Sequence, residues 1–300
     1  MHALPFYAPV LDDAPTISSL VAAAHGMGND LAFANLYLLQ EKYKTQVAIQ
    51  RDFLFRHYGG QGRFQGYAFP CGMGDTEWAL RQIEADATAR QRPCRFCLLT
   101  ETDAALLQQL RPNLYDFTTD PGDADYIYRR TDLAELPGTA FHKKRNHIAR
   151  FSRRFPQWSF LPLVDANIGD AFTVAKQWYA ARLDDSPSLL HEQKAICSAL
   201  GNFRELSLMG GVLYVDDTPV AMTLASFISQ DTADVHYEKC LPEYRDAYPI
   251  INREMALSLA CTFINREEDL NQPGLRQAKL SYRPALLLRK LNAIPRISLC

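Results

Sequence analysis

The chain has 300 residues, 47% of them hydrophobic and 22% charged, which excludes a disordered chain, a collagen and a disulfide-stapled miniprotein. Its 32 Lys and Arg residues against 34 Asp and Glu residues give a formal net charge of -2, so any binding of nucleic acid must depend on a local basic surface. At roughly 150 residues per domain, the length predicts about two domains.

The first half of the chain predicts two helices, a β-hairpin, and then alternating helices and strands. Apolar and polar residues alternate over 45–58, which predicts a strand that returns at 63–70 after a glycine-rich turn. Helical spacing and short apolar runs then predict a helix at 76–91, a strand at 95–100, a helix at 102–110 and a strand at 125–130. A crossover at 131–140, with Pro137 and Gly138, closes a first domain of residues 1–130.

The second half predicts the same order of elements. A basic helix at 141–155 leads into a strand, and helices follow at 168–183 and 187–200. Two strands of a hairpin, a third strand at 232–240 and a long helix at 249–264 complete the pattern. The repeated order predicts an α/β fold with a second domain of residues 131–300.

The location is predicted from the cysteines and the apolar runs. Seven cysteines, an odd and scattered set, favour a reducing cytoplasm. The N-terminal segment has no basic stretch before an apolar one, so no signal peptide is predicted. Because the longest apolar runs, 206–215 and 256–264, are shorter than the ~20 residues of a membrane span, we expect a cytoplasmic protein without integral membrane association.

The helix at 141–155 carries the strongest local charge of the sequence. Residues 142–154 hold six Lys or Arg residues and no acid, and an apolar stripe on the other side predicts that the cations face outward. Such a face can hold phosphates, and the alternative is a solvated helix face with surface salt bridges. The predicted substrate-binding residues on this helix are Lys143, Lys144, Arg145, His147 and Arg150.

Two further groups of ionisable residues are candidates for catalysis. On the strand at 232–240, His236 and Glu238 are two residues apart and are predicted to share a face as a base and its orienting partner. Near the C-terminus, Arg276 and Lys279 are three residues apart and are predicted to converge. The alternatives are an edge strand facing solvent and ion pairs with the preceding acids.

Other motifs are weaker. Cys94 and Cys97 form a CxxC, but residues three apart on a strand point to opposite faces, so we interpret them as structural thiols and predict no metal site. Arg63, Gly66 and Ala68 match the acetyl-CoA loop R-x-x-G-x-A, which must open a helix. The residues after Ala68 are unsuited to a helix start, so we predict no cofactor.

Three segments together resemble a known family. They are YRRTDLAELPGTAFHKKRNHIARF (128–151), VHYEKCLPEYRDAYPIINREMA (235–256), and FINREEDL with GLRQAKLSYRP (263–270 and 274–284). The chain resembles a soluble family of unknown function related to the C-terminal domain of phosphatidylglycerol lysyltransferase. That resemblance implies two fused GNAT-like domains with mixed sheets, similar to the Fem-type aminoacyltransferases.

The resemblance also implies a function. Lys279 matches by position the transfer-site lysine of these relatives, and Glu238 or His236 is expected to act as base, with Arg276 assisting. The same segments contain Tyr248, Asn252 and Tyr282, which we assign to substrate binding. The implied reaction moves an amino acid from aminoacyl-tRNA to an amine or hydroxyl acceptor. An acyl-CoA-dependent N-acyltransferase and a non-catalytic binding module remain alternatives, and the sequence leaves the acceptor and the oligomeric state open.

Overall fold

A computed structural model of the protein describes residues 3–60, 64–182 and 186–296. Its α-helices are, in chain order, α1 Ala14–Ala23, α2 Phe33–Leu38, α3 Gln40–Tyr43, α4 Thr76–Ala89, α5 Glu101–Leu110, α6 Arg130–Glu135, α7 His142–Arg154, α8 Ile168–Ala180, α9 Pro187–Gly201, α10 Tyr248–Ser258 and α11 Pro273–Leu280. Its strands are β1 Thr45–Gln50, β2 Phe53–Tyr58, β3 Gly66–Tyr67, β4 Cys71–Gly72, β5 Phe96–Leu99, β6 Tyr115–Thr119, β7 Asp125–Arg129, β8 Trp158–Pro162, β9 Met209–Val215, β10 Thr218–Phe227, β11 Thr232–Cys240, β12 Phe263–Asn265, β13 Leu286–Leu288 and β14 Leu291–Pro295.

One compact unit comprises the described residues of 1–125, 268–276 and 287–300. Its sheet has the order β1-β2-β3-β5-β14-β6, and β4 also pairs with β2, at Phe53 and Leu54. The β3–β5 pair is parallel whereas its neighbours are antiparallel, so the sheet is mixed. Aromatic and aliphatic side chains from β2, β5 and α4, among them Phe53 and Leu80, form its core.

The other compact unit comprises residues 126–267 and 277–286. Six strands follow each other in its sheet in the order β7-β12-β11-β10-β9-β8, and the sheet is mixed because β12 pairs in parallel with β11 and antiparallel with β7. Helices α6, α7 and α10 contribute to a core against this sheet, and α8 packs on β10 and β11. The prediction of an α/β fold with two mixed sheets flanked by helices is confirmed.

Two local predictions of secondary structure are wrong. Residues 45–58 are a complete hairpin, β1 and β2, because the chain turns at Arg51, whose φ is +51°, and the alternation continues across the turn. The helix predicted at 249–264 ends at Ser258, and Phe263–Asn265 instead pairs with β11 as a parallel strand. A short buried apolar run is compatible with a helix or with a strand, and here the pairing with β11 makes residues 263–265 a strand.

The compact units differ from the continuous segments 1–130 and 131–300. The chain enters the second unit at Tyr126, and residues 268–276 and 287–300 belong to the first. There, β14 lies between β5 and β6. The assignment of each segment as a GNAT-like domain stays a prediction.

A buried ion network secures this C-terminal strand within the first unit. Lys290, directly before β14, has its Nζ 2.9 Å from Asp125 Oδ1 and 3.2 Å from Asp30 Oδ1, and Arg56 also pairs with Asp30. Burial alone would raise the pKa of Asp30, but the charges of Lys290 and Arg56 lower it. The network therefore keeps its carboxylates ionised in the interior.

Replacing Lys290 with Met should destabilise the protein strongly. Removing one partner of a buried ion network leaves uncompensated charge, which costs about 3–5 kcal/mol. Chemical denaturation should show this loss for Lys290→Met and almost none for the control Lys176→Met, since Lys176 is exposed on α8. Equal stability of the two variants would contradict the role given to the network.

Candidate functional site

The basic helix α7 is amphipathic, as its sequence predicts. Phe141, directly before it, and Ile148 and Phe151 within it are buried in the core of the second unit. Most of its polar side chains are exposed. Lys143, Asn146, His147, Arg150 and Arg153 line one shallow surface depression.

The cations of α7 have different surroundings. Arg145 donates to the carbonyl oxygens of Leu136 and Gly138, at 2.7 Å for Gly138, and so satisfies backbone acceptors after the end of α6. Arg150 Nη2 lies 2.6 Å from Asp246 Oδ1, with His147 Nδ1 3.9 Å from the same oxygen. Part of the Arg145 guanidinium is therefore committed to backbone acceptors, and its assignment as a substrate-binding residue stays a prediction.

Lys144 faces inward where its neighbours on α7 face solvent. Its Nζ lies 3.7 Å from the centroid of the Tyr282 ring, a cation–π distance. Burial, together with the nearby Arg266 guanidinium, lowers the pKa of Lys144 to about 8. No carboxylate of the described chain forms an ion pair with Lys144.

Arg266 links Tyr282 to the predicted base Glu238. Its Cζ lies 5.0 Å from the Tyr282 centroid, and its Nη2 donates to Glu238 Oε2. The other carboxylate oxygen, Oε1, accepts from Asn252 Nδ2 of α10 at 3.1 Å. Burial disfavours the Arg266 charge, but Glu238 raises the pKa of the guanidinium above its usual value. Lys144, Tyr282, Arg266, Glu238 and Asn252 thus form one cluster, which we call the arginine cluster.

A second cluster surrounds His236 in β11. The imidazole Nδ1 lies 3.3 Å from Asp234 Oδ2 and 3.5 Å from Glu267 Oε1, while Nε2 lies 2.8 Å from Ser226 Oγ. Burial alone would lower the pKa of His236, but Asp234 and Glu267 raise it to about 9. We call this group the histidine cluster.

The prediction that His236 and Glu238 share a face is wrong because β11 contains a β-bulge. The register against β10 shifts between Leu224 and Ala225, which leaves His236 as the extra residue. Val235 and Cys240 accordingly both belong to the core on the α10 side, although they are five positions apart, an odd spacing that in a regular strand gives opposite faces. Glu238 points to that side, and His236 joins Asp234 on the other.

The histidine cluster has ligand types that suit a divalent cation. One atom from each of Asp234, His236 and Glu267 lies within 4.8 Å of the others. With the pKa of His236 at about 9, a proton on the imidazole balances part of the carboxylate charge at neutral pH. The chemistry available without a metal is therefore a buried, protonated imidazole between two acids.

Lys279 holds the segment that connects the two clusters. Its Nζ donates to the carbonyl oxygen of Arg266 and, at 3.0 Å, to that of Glu267. The Glu267 N–H donates to Asn265 Oδ1 at 2.7 Å, and Glu267 has a φ of +56°. This conformation sends the Arg266 side chain to Glu238 and the Glu267 side chain to His236.

Two other predicted residues have separate surroundings. Arg276, in the first unit, donates from Nε to Asp269 Oδ2 at 2.7 Å and from Nη2 to Asp269 Oδ1 at 2.9 Å. This pairing agrees with the alternative that the sequence left open for Arg276. Tyr248 begins α10 and packs against the core, and burial raises its pKa to about 12.

The sequence prediction missed Asp234, Arg266 and Glu267 as site residues. Asp234 precedes His236 by two positions, and Arg266 and Glu267 lie in a run of charged residues, so the residue types were visible. Their roles depend on the parallel pairing of β11 with β12, which places Asn265 opposite Asp234. No periodicity in the sequence indicates that pairing.

Neither weak motif gains support. The residues after Ala68 form the strand β4, and the next helix, α4, begins only at Thr76, so no helix starts where an acetyl-CoA loop needs one. Arg63 lies outside the described residues. Cys97 is buried in β5 and Cys94 precedes that strand, both as free thiols, and burial raises the pKa of Cys94 to about 12.

The raised pKa of His236 predicts a pH dependence of stability. A histidine whose pKa is about 6.5 when unfolded and about 9 when folded stabilises the fold fully below pH 6.5. That contribution is lost as the pH rises through 9. The free energy of unfolding should therefore fall between pH 6.5 and 9 in the parent protein.

The same fall should be much smaller in His236→Gln, measured by urea unfolding at each pH. His142→Gln, which changes an exposed histidine of α7, should retain the parent profile. A His236→Gln profile that parallels the parent would refute the assignment of this titration to His236.

The comparison with protein families gives a match over most of the chain. The model of the family described as "Phosphatidylglycerol lysyltransferase, C-terminal" matches residues 23–292. A lysyltransferase moves an amino acid, so this is an aminoacyltransferase-type family. Among the described residues, no helix has both the length and the apolar character needed to cross a bilayer.

Solved structures share the fold. A conserved protein of unknown function from Bacteroides thetaiotaomicron VPI-5482 is 35% identical, with a TM-score of 0.93 and coverage of 98% of this chain and 100% of that one. L-PGS from Bacillus licheniformis is 14% identical, with a TM-score of 0.66 and coverage of 100% and 95%. FemX is 10% identical, with a TM-score of 0.63 and coverage of 97% of each chain. At such low identity the last two likenesses concern the fold.

A curated protein also matches part of the chain. An uncharacterised protein, MYCGA3080, from Mycoplasmoides gallisepticum is 23% identical over 177 residues. The match covers 55% of this chain and 54% of that protein, so the chain spans about half the length of this relative.

Proposed function

We propose, from the premise that this chain belongs to the phosphatidylglycerol lysyltransferase C-terminal family, that it transfers an amino acid from aminoacyl-tRNA to an amine or hydroxyl acceptor. The acceptor's nitrogen or oxygen attacks the ester carbonyl and forms the new bond to carbon. The bond from that carbon to the ribose oxygen breaks, and the ribose hydroxyl leaves with a proton. The acceptor's own proton passes to a base. Such a reaction needs positioning, proton removal and stabilisation of the oxyanion.

The observation that carries this proposal is the arginine cluster. A carboxylate with two fixed hydrogen-bond donors, Arg266 and Asn252, is connected through Arg266 and the Tyr282 ring to a half-buried lysine at the start of the basic helix. Of the two predicted bases, we assign the role to Glu238. His236 is unsuited because its pKa of about 9 keeps the imidazole protonated at neutral pH.

Glu238→Gln tests this assignment directly. General-base catalysis contributes ~10²- to 10⁴-fold, so we expect transfer to fall by at least ~10²-fold. Transfer is measured as label moved from a mixed pool of charged tRNA into a cell extract, with and without the protein.

The matched control is Glu243→Gln, because Glu243 is an exposed glutamate in the short 3-10 helix before α10. Transfer by this variant should equal that of the parent. An absence of protein-dependent transfer in every extract would reject the enzymatic function and favour the binding module. Full activity of Glu238→Gln would reject Glu238 alone.

The exposed cations of α7 are proposed to contact the RNA backbone. Lys143 and Arg153 line the same depression, and the described residues supply neither with an acidic partner. Arg150 and His147 both lie near the Asp246 carboxylate, so they are less available to bind a phosphate.

Replacing both Lys143 and Arg153 with Ala should weaken tRNA binding and flatten its dependence on salt. Each lost phosphate contact should reduce the slope of log K against log salt by about one unit. Filter binding at several salt concentrations measures both effects. Arg145→Ala should instead lower the melting temperature and leave the slope unchanged, because Arg145 serves the carbonyl oxygens after α6. A slope that depends on Arg145 but not on Lys143 and Arg153 would reverse the assignment.

Lys279 is proposed to support transfer by holding the carbonyl oxygens of Arg266 and Glu267, or by placing its charge near the reacting carbonyl. Lys279→Met separates the two roles. A positioning role predicts lower stability, by about 1–3 kcal/mol for the acceptors left unsatisfied, together with reduced transfer.

A direct electrostatic role predicts a loss of ~10²- to 10³-fold in turnover with little change in stability. The geometry favours the positioning role, so we expect the stability loss. Thermal denaturation and the transfer assay on the same preparations check both quantities. A variant with parental stability and turnover would remove Lys279 from the site.

A further inference from the structure

The positive charges of the arginine cluster exceed its negative charges. Lys144 and Arg266 both lie over the Tyr282 ring, whereas Glu238 is the carboxylate that binds Arg266. The Nη1 nitrogen of Arg266 is buried, and the described residues offer it no hydrogen-bond acceptor. The Nη2 nitrogen of the guanidinium thus donates to Glu238, and Nη1 remains available to donate to a ligand.

Burial of this unbalanced charge disfavours the charged form of Lys144. Its pKa is lowered to about 8 by burial and by the Arg266 charge. An oxyanion bound by Lys144 and Arg266 would offset the cost of burying two positive charges. It would supply a negative charge and also an acceptor for Nη1 of Arg266. A planar guanidinium beside an ammonium is the arrangement that proteins use for phosphate and carboxylate groups.

We propose that Lys144, Arg266 and Tyr282 form a subsite for an oxyanion, a phosphate or a carboxylate, carried by the acceptor molecule. The Tyr282 ring holds both cations through its face, which leaves their N–H groups to the ligand. This inference rests on the proposed function in so far as it names the ligand as the acceptor.

Two observations favour the acceptor over the RNA as the source of the oxyanion. Glu238, the proposed base for the acceptor's nucleophile, is bonded to the same Arg266. Lys144 also stands apart from the other cations of α7, because it does not line the depression formed by Lys143, His147, Arg150 and Arg153. A molecule bound at Lys144 and Arg266 would therefore have its nucleophile close to the base.

The test measures how far a ligand protects Lys144 from acylation of its amine. The full-length protein is labelled, then digested, and the labelled peptides are quantified by mass spectrometry. At pH 8, close to the pKa of Lys144, a large fraction of this amine is neutral and reactive. Saturating inorganic phosphate or acetate should slow labelling of Lys144 by at least tenfold, and labelling of Lys176, an exposed lysine of α8, should change by less than twofold. The better protector of the two identifies the class of oxyanion.

Variants then connect protection to binding. Lys144→Met keeps the apolar stem over the ring, and it should weaken the preferred anion about tenfold in calorimetric titration. Lys176→Met, which changes an exposed lysine of α8 outside the proposed site, should bind it as the parent does. Protection in the parent does not depend on any variant being folded.

Three results would overturn the proposal. The first is equal protection of Lys176 and Lys144, which would indicate general screening of surface amines. The second is unchanged anion affinity in Lys144→Met. The third is protection of Lys144 by a CpCpA trinucleotide that carries no amino acid but by neither phosphate nor acetate, which would assign the subsite to the RNA.

The proposal and the proposed function fail in different ways. If anions protect Lys144 but no extract supports transfer from charged tRNA, the subsite stands and the aminoacyl transfer is rejected. If transfer occurs and no anion protects Lys144, the subsite is rejected and the aminoacyl transfer stands.

Discussion

One ammonium group determines the geometry of the candidate site. The Nζ of Lys279 donates to the carbonyl oxygens of two consecutive residues, Arg266 and Glu267, in a segment where the backbone of Glu267 is left-handed. Consecutive carbonyls normally point apart in an extended chain, so a shared donor fixes an unusual conformation. Because of that conformation, the side chains of these neighbours reach partners on opposite faces of β11. Tyr128 supports the arrangement by donating its hydroxyl to the Lys279 carbonyl oxygen at 2.8 Å.

The bulge at His236 is the second constraint, because it separates two groups of opposite charge. On one face, the carboxylates of Asp234 and Glu267 flank His236 and raise the pKa of its imidazole. On the other face, Arg266 and Lys144 outnumber the carboxylate of Glu238. In a regular strand His236 and Glu238 would lie on the same face, and the charges of the two clusters would partly cancel. The extra residue keeps the two clusters apart, and buried ionisable groups with shifted pKa values are common at functional sites.

The sequence predicts the parts of this arrangement that depend on local periodicity. The apolar stripe of α7, with Ile148 and Phe151, is visible in the helical spacing of the sequence. The sequence does not predict the bulge, because it is set by how β10 and β11 pair, nor β12, whose apolar run also fits a helix. It also cannot distinguish Lys144 from Arg145, which are adjacent and similarly charged. Their difference arises from a rotation of about 100° between successive helix positions, which turns one toward Tyr282 and the other toward the end of α6.

Glu238 illustrates how the cluster leaves a carboxylate available for proton transfer although it is already bonded. Asn252 donates to Oε1 and Arg266 donates to Oε2, so each oxygen has one donor fixed by the protein. A carboxylate oxygen has capacity for a second donor, which an attacking amine or hydroxyl would supply. The two fixed donors orient the carboxylate, and neither can accept the proton that it removes. The same Arg266 that orients Glu238 has a buried nitrogen without an acceptor among the described residues, so an anion bound there would be held at the carboxylate's side. Arg266 would therefore take part both in binding the acceptor and in orienting the carboxylate that removes its proton. Both roles require the guanidinium to lie at one place, and the contact of Lys279 with the Arg266 carbonyl oxygen fixes that place.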